Sequence, residues 1–225
     1  MEKVNLTIQH LISEAQSFCT SEAILNTPNL YGVTDGKAVG TYVEHQFKQY
    51  LSAKYKINIG NSASGLDLPS SDILTDIKVT SIKQPQSSCP FKDAKQKIFG
   101  LGYNLLVFVY DKHDDIITKT AKLDFVSATF IEKERTADYQ TTLALLQMLE
   151  NGAIEEEIMA YLSDRNIPAD DITLNQLAKQ ILKTPPKQGY LTISNALQWR
   201  LQYGRIVTME QEVKGITRII DRGRK

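Results

Sequence analysis

The stretch Tyr103–Lys112, YNLLVFVYDK, constrains the fold more than any other part of this 225-residue chain. Its first eight residues carry no charge and are mostly Leu, Val, Phe and Tyr. Such a run suits a central strand covered on both faces, which needs layers of other elements around it. The preceding sequence supplies them. Residues 1–18 place Val4, Ile8, Leu11, Ile12 and Ala15 at helical spacing, and a second helix is expected from about Lys37 to Ala53, with Val39, Val43, Phe47, Tyr50 and Leu51 on or near one face. Strands are expected in YKINIG, around Leu66–Leu68, and in DILTDIKVTS. A helix follows in KDAKQKIFGLG, and a further strand or two in DIITKTAKLDFVSATFI. This order argues for an α/β core, a mixed central sheet flanked by helices.

After Ile131 the composition changes, so a division into 1–131 and 132–225 is expected. TTLALLQMLENGAIEEEIMAYLSDRNI, TLNQLAKQIL and TISNALQWRLQYGRI read as helices, giving a mainly helical C-terminal region. Its last three helices suggest a winged-helix-like trihelical unit, with RIVTM and ITRII as the hairpin. That unit reads a DNA groove or supports dimerisation, and one apolar face, Leu191, Ile193, Leu197 and Leu201, packs somewhere in either case.

The hydrophobic fraction of 42% and charged fraction of 23% are those of an ordinary globular chain. No run is long enough to cross a bilayer, and Glu2 and Glu14 interrupt the N-terminal apolar stretch, so no secretory signal is read there. A cytoplasmic protein with two inert packing cysteines, Cys19 and Cys89, is expected. His10, His45 and His113 lack metal-ligand spacing. Net charge is zero, so contact with a polyanion has to come from local clusters. Two exist. Lys78–Lys97 carries five lysines against Asp93, and Arg205–Lys225 carries six bases against three acids.

The chemistry concentrates in GLDLPSSDILTDIKV, residues 65–79. Side chains alternate along a strand, so Asp76 and Lys78 share one face of ILTDIKVT while Ile73, Ile77 and Val79 share the other. Asp67 stands just before Pro69, which donates nothing to a ladder, and a hairpin between Leu68 and Ile73 returns the chain so that Asp67 meets Asp76. Asp72 is the competing first ligand, ranked second because it falls in the turn. Two converging carboxylates repel unless a positive charge sits between them, and Mg²⁺, a hard cation held by oxygen, fits. Asp67, Asp76 and the main-chain carbonyl of Ile77 are the expected ligands. Lys78 then orients an attacking water and offsets charge on a phosphoryl group.

The pattern Asp67-Leu-Pro followed by Asp76-Ile-Lys78, with Glu44 in GTYVEHQF on the preceding helix, resembles the PD-(D/E)xK nuclease superfamily. It is most similar to the branch of type II restriction endonucleases and the mismatch-repair strand nickase. The resemblance covers roughly Val39–Lys112 and departs in having Asp-Leu-Pro in place of Pro-Asp. It implies a restriction-endonuclease-like catalytic domain in 1–131, with Glu44 supporting the site. It also implies a Mg²⁺-dependent, sequence-specific endonuclease of double-stranded DNA that leaves 5′-phosphate and 3′-hydroxyl ends. A homodimer, and a DNA methyltransferase protecting the same sequence, are the implied partners. The alternatives are a repair nickase or junction resolvase of that superfamily, and a non-catalytic DNA-binding regulator. A second reading of Glu44 stands beside this one, an i,i+4 pair with Lys48. Expected DNA contacts are Lys83, Gln84, Gln86, Ser87, Lys92, Lys95 and Lys97 after the catalytic strand, and Asn195, Gln198, Arg200 and Arg205 in the C-terminal region.

Overall fold

The computed structural model describes residues 3–60, 65–89, 92–194 and 199–222. In chain order the elements are α1 (Ile8–Glu22), α2 (Gly36–Lys54), β1 (Thr75–Ser81), β2 (Gln86–Cys89), α3 (Lys95–Phe99), β3 (Asn104–Asp115) and β4 (Thr120–Ile131). They continue with α4 (Tyr139–Glu150), α5 (Glu155–Asp164), α6 (Asp171–Lys183), β5 (Thr192–Ile193), β6 (Trp199–Gln202), α7 (Gly204–Val207) and β7 (Ile216–Asp221). The architecture is the α/β one expected, with a mixed four-stranded sheet ordered β1-β3-β4-β7. β1 and β3 run parallel, whereas β3, β4 and β7 are antiparallel neighbours.

Two compact units emerge. The first comprises Met1–Gln86, Tyr103–Ile131 and Val207–Lys225, and the second Ser87–Gly102 and Glu132–Ile206. In the first, YNLLVFVYDK forms the centre of the sheet, and Asn104–Tyr110 are all buried. Leu106, Phe108 and Tyr110 join Val39, Val43, Phe47 and Leu51 of α2 and Leu11, Ala15 and Phe18 of α1 in one core. α1 starts at Ile8, later than the apolar spacing suggests, because Thr7 caps it by accepting from His10 N, while Lys56 N donates to Val4 O. YKINIG makes a single bridge, Asn5 with Lys56, and no strand.

α2 sets the geometry of the site. Asp35 caps it by accepting from Lys37 N. Gly40 lies directly over Val79, where a Cβ would stand 3.4 Å from Val79 O, so the helix lies close over β1. Two turns further on, Lys48 lies beside Asp67, whose carboxylate is bonded to Ile77. Helix and strand therefore run in opposite senses, and the second half of α2 overlies the start of β1.

In the second unit, Ile98 of α3, Leu145 of α4, Ile158 and Leu162 of α5, and Leu174 and Leu177 of α6 form a separate core. The described parts of TISNALQWRLQYGRI do not form the single helix expected. β5 and β6 pair through Ile193 and Leu201, and β2 completes a three-stranded sheet ordered β2-β6-β5. Trp199 and Leu201 are buried and alternate with exposed Arg200 and Gln202, a period of two that won over the four-residue spacing of Ile193, Leu197 and Leu201. The wing-like hairpin is also absent. Ile216–Asp221 pairs with β4, and Arg205–Val207 lies in α7. Burial of Ile216 and Ile220 on the first sheet outweighs a local hairpin.

Candidate active site

The local turn brings the acidic residues together. Ile73 N and Leu74 N both donate to Ser70 O, and Leu68 pairs antiparallel with Thr75 through two 3.0 Å bonds. Leu74 is held at φ +34°, a conformation that strains a bulky residue by on the order of 1 kcal/mol. Its surroundings fix it. Asn104 N donates to Leu74 O, and Asn104 Nδ2 donates to Ile73 O, both at 2.8 Å.

As a result, the Asp67 and Asp76 carboxyls lie close enough for each to shift the other's pKa. Asp67 Oδ2 also accepts from Ile77 N at 2.8 Å, and Asp67 Oδ1 from Lys48 Nζ at 2.5 Å. Lys78 Nζ lies 2.7 Å from Asp76 Oδ2. Burial raises the Asp76 pKa, and although the Lys78 charge opposes it, the bond with Asp67 adds to it, giving about 6. Burial acts the same way on Asp67, yet the hydrogen bonds from Asp76, Lys48 and Ile77 N prevail and hold its pKa below the usual value. The metal-free pair therefore holds one proton up to about pH 6.

The N–H and C=O of one strand residue point to the same edge. Since Ile77 N reaches Asp67 at the β1 edge away from β3, the Ile77 carbonyl faces that edge too. Two carboxylates and a carbonyl make an all-oxygen donor set suited to a hard divalent cation. Among the described residues, no group of three or more His, Cys, Asp or Glu side chains is placed to hold a metal ion, so a cation here would rest on the two carboxylates and the carbonyl. Asp72 stays in the turn, exposed, where its carboxylate accepts from Ser71 Oγ.

Glu44 pairs with Lys48 at 2.6 Å, the i,i+4 contact considered for it, but Lys48 simultaneously reaches Asp67. Sequence reasoning missed this second contact. The signal was the Glu44–Lys48 spacing itself, seen only as a helix-surface pair. A cavity of about 700 Å³ opens beside these groups, lined among others by Glu44, His45, Lys48, Gln49 and Asp67.

The expected DNA contacts divide. Lys83, Gln84, Lys92, Lys95, Arg200 and Arg205 are exposed. Gln86 is half-buried, its carbonyl accepting from Thr80 Oγ1, and the Ser87 hydroxyl is bonded to the Tyr203 hydroxyl at 2.6 Å. Arg205 lies over the Tyr139 ring, 3.5 Å from its centroid. Asn195 and Gln198 lie outside the described residues. Lys97 does not belong to a solvated lysine row. It is 5% exposed, and burial lowers its pKa, partly offset by Asp138 and reinforced by Arg165. α3 turns this side chain inward, while Lys95 points out.

A mixed sheet flanked by helices, with Asp76 and Lys78 on one face of β1 and Asp67 brought beside them by the preceding turn, fits the restriction-endonuclease-like class. A family model described as type II restriction enzyme NspV matches residues 5–218. A type II restriction enzyme NspV from Nostoc sp. is 54% identical over 211 residues, which is 94% of this chain and 95% of that protein. The chain belongs to the NspV family of type II restriction enzymes. No solved structure matches it. Between the alternatives left by the sequence, the family selects the restriction enzyme over the repair nickase, the resolvase and the non-catalytic regulator. Among the described residues, no helix is long and apolar enough to cross a membrane.

Proposed function

We propose that this type II restriction enzyme is a Mg²⁺-dependent, sequence-specific endonuclease of double-stranded DNA that leaves 5′-phosphate and 3′-hydroxyl ends. The observation that carries this reading is the closely juxtaposed Asp67 and Asp76 carboxyls with Lys78 bonded to Asp76, in a chain of this family. Asp67, Asp76 and the Ile77 carbonyl hold the cation. When bound, Mg²⁺ acidifies water and offsets charge on the phosphoryl oxygens.

The protein's own groups do the rest. Lys78, fixed by Asp76, orients the attacking water and stabilises the charge developing on phosphorus. Glu44 holds Lys48 against Asp67, and Lys48 with Ile77 N fixes the orientation of that carboxylate. Lys83, Gln84, Gln86, Ser87, Lys92 and Lys95, together with Asn195, Gln198, Arg200 and Arg205, contact the DNA. Lysine and arginine hold phosphates, and amide side chains read base edges. Two copies form a homodimer whose two-fold axis matches a palindromic site, and a DNA methyltransferase protects that sequence in the cytoplasm where both act.

Plasmid digestion tests the reading. With Mg²⁺ the wild type yields discrete fragments, EDTA abolishes them, and Asp76→Ala and Lys78→Ala yield none. Undiminished cutting by either folded variant sinks the assignment.

A further inference from the structure

We infer that Lys48 is a built-in cation standing in the position of a second metal ion, so that each site takes up a single divalent cation. The inference rests on the proposed assignment of Asp67 and Asp76 as metal ligands, and it concerns what lies on the other side of Asp67.

In a two-metal nuclease site the ions sit roughly 3.5–4 Å apart, clamping the reacting phosphate between them. Asp67 is placed to be shared between two such cations, since its Oδ1 accepts from Lys48 while the same carboxyl also lies against Asp76. On that second side Lys48 Nζ also contacts Glu44 Oε1 at 2.6 Å. An ammonium at these distances draws Glu44 and Asp67 together much as a Mg²⁺ with Mg–O distances of about 2.1 Å does. The difference is that it is tethered. Lys48 is half-buried on α2, a helix packed against β1 with Gly40 over Val79, and it neither dissociates nor activates a water.

Charge balance points the same way. With Asp76 ionised, Glu44, Asp67 and Asp76 bring three negative charges, and Lys48 and Lys78 two positive ones. One divalent cation converts the remaining single negative charge into a single positive one, which matches the one charge of a phosphodiester. A second divalent ion would leave the site strongly positive and would have to displace an ammonium already bonded to both carboxylates. Without Lys48, Glu44 and Asp67 become two adjacent carboxylates with no cation between them, which is the setting that recruits one.

The test counts ions without relying on cleavage. Titration of the purified protein with Mn²⁺ alone at pH 8, followed by the electron paramagnetic resonance signal of the free ion, gives one ion per chain for the wild type and for Lys48→Arg. Lys48→Met gives two, and Glu44→Gln combined with Lys48→Met returns to one. If Lys48→Met does not fold by circular dichroism, Lys48→Gln is scored in its place. Two ions on the wild type, or one on the folded neutral variant, overturns the inference. Asp76→Asn separates the two levels of argument, because wild-type uptake by that variant refutes the metal site itself. Loss of uptake there with an unchanged count at neutral residue 48 refutes only the role of Lys48.

Discussion

Asp76 and Asp138 are equally buried, each 5% exposed, and their surroundings give them opposite uses. Asp138 caps α4, where its Oδ1 accepts from Thr141 N and Thr141 Oγ1, and its Oδ2 accepts from Ile193 N, all within 2.8 Å. Every neighbour is a donor, so the charge is a structural anchor that ties the start of α4 to β5. Asp76 faces another carboxylate and one lysine, and it holds a proton up to about pH 6. Burial alone therefore does not mark a site. A buried carboxyl whose neighbour is a second carboxyl is set up to take a cation, at the expense of the stability of the metal-free protein.

The largest expected effect lies in catalysis. Asp76→Ala lowers Mg²⁺-dependent cleavage by on the order of 10³-fold and Lys78→Ala by roughly 10²–10³-fold, measured as initial rates on one plasmid. Asp138→Ala leaves the rate per folded molecule nearly unchanged, and a comparable catalytic loss there would break the contrast.

The same substitution at both positions then has opposite signs. Asp138→Asn turns an amide NH₂ or a weakened acceptor toward Thr141 N and Ile193 N and destabilises by roughly 1–3 kcal/mol in urea. Asp76→Asn without metal stabilises by about 1–3 kcal/mol at pH 8, because it removes a carboxyl whose ionisation the fold opposes. The Asp76 pKa is raised in the folded state, so the stability contributed by its protonated form is present at low pH and is lost as pH rises through about 6. The neutral amide keeps it, and the gap between Asp76→Asn and the wild type closes as pH falls below 6. Thermal unfolding between pH 4.5 and 8 in EDTA checks this, and a gap that widens toward low pH contradicts it.

The smallest effect separates two lysines of α3. Lys95→Ala lowers the slope of log affinity against log salt for DNA by about 1. Lys97→Ala leaves that slope alone and lowers the melting temperature, since the buried ammonium lies near Asp138. Filter binding across salt concentrations distinguishes them, and equal slopes for the two variants would restore Lys97 to the DNA surface.

Local order made much of this legible from sequence. The strand period put Asp76 and Lys78 on one face, the Pro69–Asp72 turn directed Asp67 back to them, and the uncharged run of β3 required an α/β sandwich around it. These patterns depend on residues a few positions apart, and their backbone geometry is fixed by the chain itself. What the tertiary structure alone decided depends on partners distant in sequence. Lys48 meets Asp67 only because α2 packs across β1, with Gly40 over Val79. Lys97 is buried by the packing of α3 in the second unit. Ile216–Asp221 abandons a local hairpin for the open edge of β4, and Trp199–Gln202 becomes a strand because Ile193 and Ser87–Cys89 lie beside it. In each case the burial available across the fold outweighed the local preference, and no window of sequence contains that comparison.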